Sequence, residues 1–254
     1  MYGLVSLVVV VSHLATATAA APEQVPPAEV LKRVEKAGEF LDTFVGSCRT
    51  VVNAVVSKTD GSDPEVNFAE ALVTRTAEGT KTETILRSTK NGADTTAESR
   101  AKREKAKAKQ EDGKAKFKLD VPGAKTAEHF VYSTQPSQGN ICRAKFTPAE
   151  AHRKVEGISS GELAWRCDSL EPLWMTATPL DPPSRVSEVM ARMEFARAGG
   201  TYYVAKLATD GVGGILFIKR KFKMTVDITD VALAEAVATP AGPSPSSAPQ
   251  GSAP

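Results

Sequence analysis

Between residues 214 and 230 the chain alternates with a period of two. Leu216, Ile218, Phe222, Met224, Val226 and Ile228 share one parity. Lys219, Lys221, Lys223, Thr225 and Asp227 share the other. A helix would scatter these residues around its circumference, whereas a strand sorts them onto opposite faces. A long strand with one apolar face belongs in an antiparallel sheet covered on one side. The preceding residues extend the pattern. Val189, Ala191, Met193 and Phe195 alternate within 186–197. Gly199-Gly200 supplies a hairpin turn, 201–208 returns, and Asp210-Gly211 predicts another turn. The glycines 211, 213 and 214 lack the spacing of a nucleotide-binding loop and are read as part of that turn.

The period differs near the N-terminus. Leu31, Val34, Gly38, Leu41 and Val45 recur at spacings of three and four, which predicts an amphipathic helix over 28–45 after Pro26-Pro27. Residues 48–56, 66–76 and 81–88 then read as strands, separated by Asp60-Gly61 and Glu78-Gly79, and Asn91-Gly92 ends the series. A single helix followed by a meander implies a helix laid across an antiparallel sheet. Residues 99–118 interrupt it with nine basic and three acidic side chains, a local +6 in a chain of net +2. No large apolar residue precedes Phe117, so this stretch predicts a solvated, partly helical insertion at about 95–116. Strands resume at Phe117, Leu119 and Val121, and further strands are expected at 128–133, 140–146, 161–168 and 172–178. A helical turn or loop fits 147–155.

The two ends look non-globular. The first 21 residues carry no Lys, Arg, Asp or Glu. An apolar run at 4–14 followed by small residues predicts a signal peptide over 1–21, with cleavage after Ala19, although a basic start is missing. The alternative is a buried strand. The run is short for a transmembrane anchor. Residues 239–254 are mostly Pro, Ser, Gly and Ala and predict a disordered tail. A single domain is therefore expected over 22–238.

Catalytic machinery is hard to find. The chain beyond the leader has only His129 and His152, and no Gly-x-Ser-x-Gly elbow. No cysteine or histidine spacing suits a metal, so no catalytic residue, metal or cofactor is assigned and the chain is read as a non-enzyme. The near-neutral charge gives no general pull toward nucleic acid. The insertion 99–118 reads first as a solvated helix and second as a contact for an anionic surface. Cys142 and Cys167 fall in phase with apolar neighbours on predicted strands. They form either a disulfide or two buried thiols, with Cys48 left over. Most large apolar side chains are core. Yet a strongly curved sheet roofed by one helix has few elements to fill its inner side, and an apolar pocket is the alternative to a closed core.

This order resembles the outer-membrane lipoprotein carrier and sorting superfamily, the LolA/LolB-like fold. Three stretches carry the likeness: the helix 28–45, the meander 48–88, and the final hairpin from Arg192-Met-Glu-Phe195 to Gly214-Ile-Leu-Phe-Ile-Lys-Arg-Lys-Phe-Lys-Met224. The resemblance implies an α+β fold: an unclosed antiparallel half-barrel, strongly curved, with the N-terminal helix on its concave face. It also implies an exported protein of the periplasm or cell envelope that holds a lipid or acylated protein. The basic insertion and the C-terminal tail depart from the pattern. Leu41, Trp165, Met193, Phe195, Leu216, Phe222 and Met224 are the expected lining of an apolar cavity between sheet and helix. The competing expectation is a structural or interaction protein of the envelope with a filled core.

Overall fold

The computed structural model describes residues 25–108, 119–182, 186–215 and 218–234. The leader and the C-terminal tail expected from sequence lie outside them, as do Leu216 and Phe117. A helix α1, Ala28–Thr43, opens the fold. The first meander follows as β1 (Gly46–Lys58), β2 (Glu65–Arg75), β3 (Lys81–Lys90) and the short β4 (Ala93–Asp94). Helix α2, Thr96–Ala108, comes next. The second meander comprises β5 (Phe130–Gln138), β6 (Ile141–Pro148), β7 (Ser159–Arg166), β8 (Pro172–Pro179), β9 (Val186–Ala198), β10 (Thr201–Ile215) and β11 (Ile218–Leu233).

All eleven strands form one sheet in the order β4-β3-β2-β1-β11-β10-β9-β8-β7-β6-β5. Every neighbouring pair is antiparallel. The two meanders are joined by their extremes, since β1 pairs with β11 along nearly its whole length, Gly46 opposite Leu233 through Lys58 opposite Arg220. The sheet does not close, because β4 and β5 are free edges rather than partners.

One helix bends this sheet. Val30, Leu31 and Val34 of α1 pack with Phe130, Phe146, Leu163, Trp165 and Met175, which come from β5 to β8. Phe40 of the same helix packs with Cys48, Val73 and Ile228, from β1, β2 and β11. A helix of 16 residues spans about 24 Å. Laid flat, the strands from β2 to β5 would spread over roughly 38 Å at the usual spacing. Both sets reach α1 because the sheet curls around it, so α1 lies on the concave face.

The buried arc of α1 is Val30, Leu31, Val34, Ala37 and Phe40. The stripe expected from spacing included Gly38, but a Cβ there would meet nothing within 4 Å. Phe40, absent from that stripe, is 1% exposed. The helix is also covered from above. Leu119, Val121 and Ala127 pack on the core and Pro122 is fully buried. Lys125 donates its amide to Glu35 at 2.9 Å and its ammonium to Glu35 at 2.7 Å and Glu39 at 3.0 Å.

Four sequence expectations change, and the first is the start of the last strand: Gly214 and Ile215 belong to β10, and β11 begins at Ile218. The strand predicted from Phe117 lies partly outside the described residues, and from Leu119 onward its pairing is a parallel bridge of Asp120 to Ile158. The turn predicted at Asp210-Gly211 is absent, because β10 runs through it to Ile215. A Cβ on Gly211 would stand 2.3 Å from the Phe222 ring and 2.5 Å from the Glu188 carbonyl oxygen. Glycine there admits close neighbours rather than reversing the chain. The basic insertion is helical as expected at Thr96–Ala108, but it is docked rather than free. Ser88 bonds Thr95 and Ser99 through side-chain oxygens, each at 3.0 Å, and Arg100 donates to the Ile85 carbonyl at 2.8 Å. Polar contacts replace the apolar face that the sequence lacks.

Candidate ligand-binding trough

Residues directly opposite each other in an antiparallel sheet point to the same side. The registers therefore define the concave surface row by row. One row runs Ala69, Val52, Val226, Leu207, Met193, Met175, Leu163, Ala144 from β2 to β6. The next runs Ala54, Met224, Thr209, Ala191, Ala177, Gly161, Phe146. Below them Val56, Phe222, Gly211 and Val189 form a third. The residues named in these rows carry no charge, and Glu65, opposite Val56 on β2, bounds the third row.

Burial divides this surface. At the β6–β8 end Ala144, Leu163, Met175 and Ala177 are fully buried, and α1 with Trp165 and Phe146 fills the space above them. At the β1, β9, β10 and β11 end Val52, Val226, Leu207, Met193, Ala54, Met224 and Phe222 are only half-buried. Apart from Met224 and Phe146, the middle row is made of small residues: Ala54, Thr209, Ala191, Ala177 and Gly161. Gly161 could not be larger, since its Cβ would meet the Thr176 carbonyl oxygen at 1.9 Å.

Two spaces border the half-buried part. One of about 320 Å³ lies between α2 and the first meander, lined by Val52, Ala54 and Ala69 below and Thr95, Ser99 and Lys102 above. Ser88 stands opposite Ala69 and Glu83 opposite Val73, both on the concave side, and these residues hold α2. Both helices thus lie on the inner face, with apolar sheet between them. A second groove of about 500 Å³ runs past Phe222, Gly211, Val189, Met190 and Leu180.

The expected lining residues separate accordingly. Met193, Met224 and Phe222 occupy adjacent rows of the half-buried surface. Phe195 is half-buried against the main core. Trp165, 2% exposed, is part of the packing beneath α1. Leu41 is half-buried beside Phe40 and Phe44. Sequence reasoning missed Val52, Ala54 and Leu207, whose membership depends on pairing partners far along the chain.

The polar chemistry is sparse. His129 Nδ1 is 3.0 Å from Asp120 Oδ2, and its ring stacks on His152 at 4.4 Å. Among the described residues no hydroxyl is shown bonded to either imidazole, and nearby Ser159 donates its proton to the Asp120 carbonyl at 2.6 Å. This cluster anchors the segment over α1. Among the described residues no group of three His, Cys, Asp or Glu could hold a metal. Burial pushes the Tyr132 phenol up to about 12 and raises the Cys48 thiol. Cys142 and Cys167 are joined by a disulfide; Cys142 lies within β6, whereas Cys167 follows the end of β7. No helix among the described residues is long and apolar enough to cross a membrane.

No known family matches the sequence, and no curated protein does. Several solved structures resemble it remotely. An outer membrane lipoprotein-sorting protein domain from Vibrio parahaemolyticus is 8% identical over 82% of this chain and 94% of that one, with a TM-score of 0.32. A DUF1329 family protein from Desulfovibrio piger is 11% identical over 84% and 97%, at 0.29. MucB of Pseudomonas aeruginosa, solved with MucA, is 9% identical over 79% and 94%, at 0.22. The remote resemblance to lipoprotein-sorting proteins is thus present among solved structures, and at this level of superposition it decides nothing about what the chain binds.

Proposed function

We propose that this chain is an exported, non-enzymatic carrier that holds a lipid or acyl chain along the half-buried part of its concave face. One observation carries the reading. The inner surface of β9, β10, β11 and β1 carries no charge in three successive rows, with Thr209 the one hydroxyl among the residues named, yet is left partly open between α1 and α2. Leaving such a surface in water costs roughly 25 cal/mol for each Å². An apolar chain laid across the strands would recover that energy without a specific polar partner. Met193 and Met224 suit it, because a thioether side chain adapts to a flexible ligand. The space beneath α1 is already filled by Trp165 and Phe146, so the ligand belongs further along the strands than the sequence placed it.

Purified protein extracted with organic solvent is expected to release lipid detectable by mass spectrometry, and to bind a fluorescent fatty acid saturably. Met224→Glu places a charge on the trough and is expected to weaken binding by about tenfold or more. A lipid-free extract together with no fatty-acid binding would remove the proposal.

The second reading, an interaction protein of the envelope, is favoured by the filled core beneath α1. Its contact would be the basic segment 99–118, acting toward an acidic partner or an anionic surface. Neutralising Lys102 and Lys105 would then abolish capture, while fatty-acid binding stayed absent.

A further inference from the structure

A separate polar pocket lies on the solvent side of α1, where the helix meets the β9–β10 hairpin. It encloses about 340 Å³ and is bordered by Lys32, Lys36, Glu29, Glu171, Arg197 and Tyr202. Its floor is the Tyr202 ring, 9% exposed. Two guanidinium groups stack near that ring, Arg33 at 5.3 Å and Arg197 at 5.7 Å from its centroid. Arg33 is fixed by Glu29 at 3.0 Å, the Ser169 carbonyl at 2.7 Å and the Tyr202 hydroxyl at 3.3 Å. Glu171 is divided between Arg166 at 3.5 Å and Arg197 at 3.9 Å.

The charge does not balance locally. Four cations, Lys32, Arg33, Lys36 and Arg197, face two carboxylates, and both carboxylates are engaged by arginines. Lys32 and Lys36 stand one helical turn apart, exposed, and form no ion pair among the described residues. Their like charges repel each other at this spacing. Mobile ammonium groups above a fixed guanidinium and a phenol hydroxyl suit a compact doubly charged anion.

We propose that this pocket binds the phosphate group of a phosphate monoester or of a lipid headgroup. The volume exceeds that of phosphate alone and leaves room for a small polyol attached to it. Lys32 and Lys36 supply most of the attraction, and Arg33, Arg197 and Tyr202 set the orientation. The site is independent of the trough, since the filled core around Val34 and Trp165 lies between them.

The test uses the full chain and two probes. Calorimetric titration with glycerol 3-phosphate at about 50 mM salt is expected to show saturable binding, weakened at about 500 mM as the charges are screened. The variant Lys32→Ser/Lys36→Ser is expected to lose about tenfold or more in affinity with an unchanged melting temperature. Flotation with phosphatidylglycerol vesicles is the second arm. Binding of the soluble ester identifies a free ligand, and binding of the vesicles alone identifies a headgroup. Lys58→Ser/Lys154→Ser removes the same charge elsewhere and is expected to change neither. No binding in either arm, or an equal loss in that control, overturns the proposal.

Discussion

Phe40 ties α1 to the sheet. Its ring stacks on Phe44 at 4.9 Å and meets Tyr203 at 5.1 Å, above Cys48, Val73 and Ile228. Phe40→Ala is expected to cost about 4 kcal/mol, read from urea unfolding, because the surroundings cannot collapse into the void. Spacing alone did not reveal this residue. A helix buried on two sides hides an arc wider than one stripe of threes and fours, and Phe40 lies at its margin. Gly161→Ala is expected to cost about 3 kcal/mol, since the added methyl meets backbone rather than a movable side chain. The Cys142–Cys167 bond closes a loop with a sequence separation of 25, and its removal by double Ser substitution is expected to cost about 3 kcal/mol. That pairing was left open by the sequence because phase on a strand says nothing of partners. Hydrogen bonds from Lys125 hold the Glu35 carboxyl below the usual carboxylate range. A depressed value stabilises the fold above the unfolded value of about 4.3, and that contribution is lost as pH falls through the folded value. Carbon NMR of the Glu35 carboxyl is expected to show it titrating lower in the native chain than in Lys125→Ala.

Among the elements, β11 was legible apart from its start, whereas β10 was legible only over 201–208. The faces of β11 differ in polarity, so alternation shows. In β10 the glycines imitate a turn, whereas in the sheet Gly211 makes room for Phe222 and the β9 backbone. β1 was legible as a strand but not as a surface. Val51, Val52, Val55 and Val56 are apolar on both sides, and only its pairing with β11 shows that Val52 and Val56 face inward. α2 guards an edge. β4 covers only Thr89 and Lys90 of β3, and Arg100 donates to the Ile85 and Leu86 carbonyls beyond it. A bare sheet edge recruits other strands. Arg100→Ala with Arg103→Ala is therefore expected to raise the rate of thioflavin-positive aggregation at unchanged thermal stability; an unchanged rate would show that the edge needs no guard.

At the scale of the molecule, the decisive feature is the pairing of β1 with β11. It turns two meanders into one bent sheet and brings Val52 beside Val226. Nothing local in the sequence announces a contact between strands so far apart, and so the trough was legible only as a general surplus of inner apolar surface. A helix laid on the sheet followed from the element order and the curvature from the resemblance, whereas the division into a filled half and a half-open half depends on packing. The most direct measurement is a methyl NMR titration of the isotope-labelled chain with palmitate. Shifts are expected at Val52, Val226, Leu207 and Met193, with Val34, Leu163 and Met175 unmoved. Shifts confined to the residues beneath α1, or no shifts at saturating palmitate, would contradict a ligand in the trough.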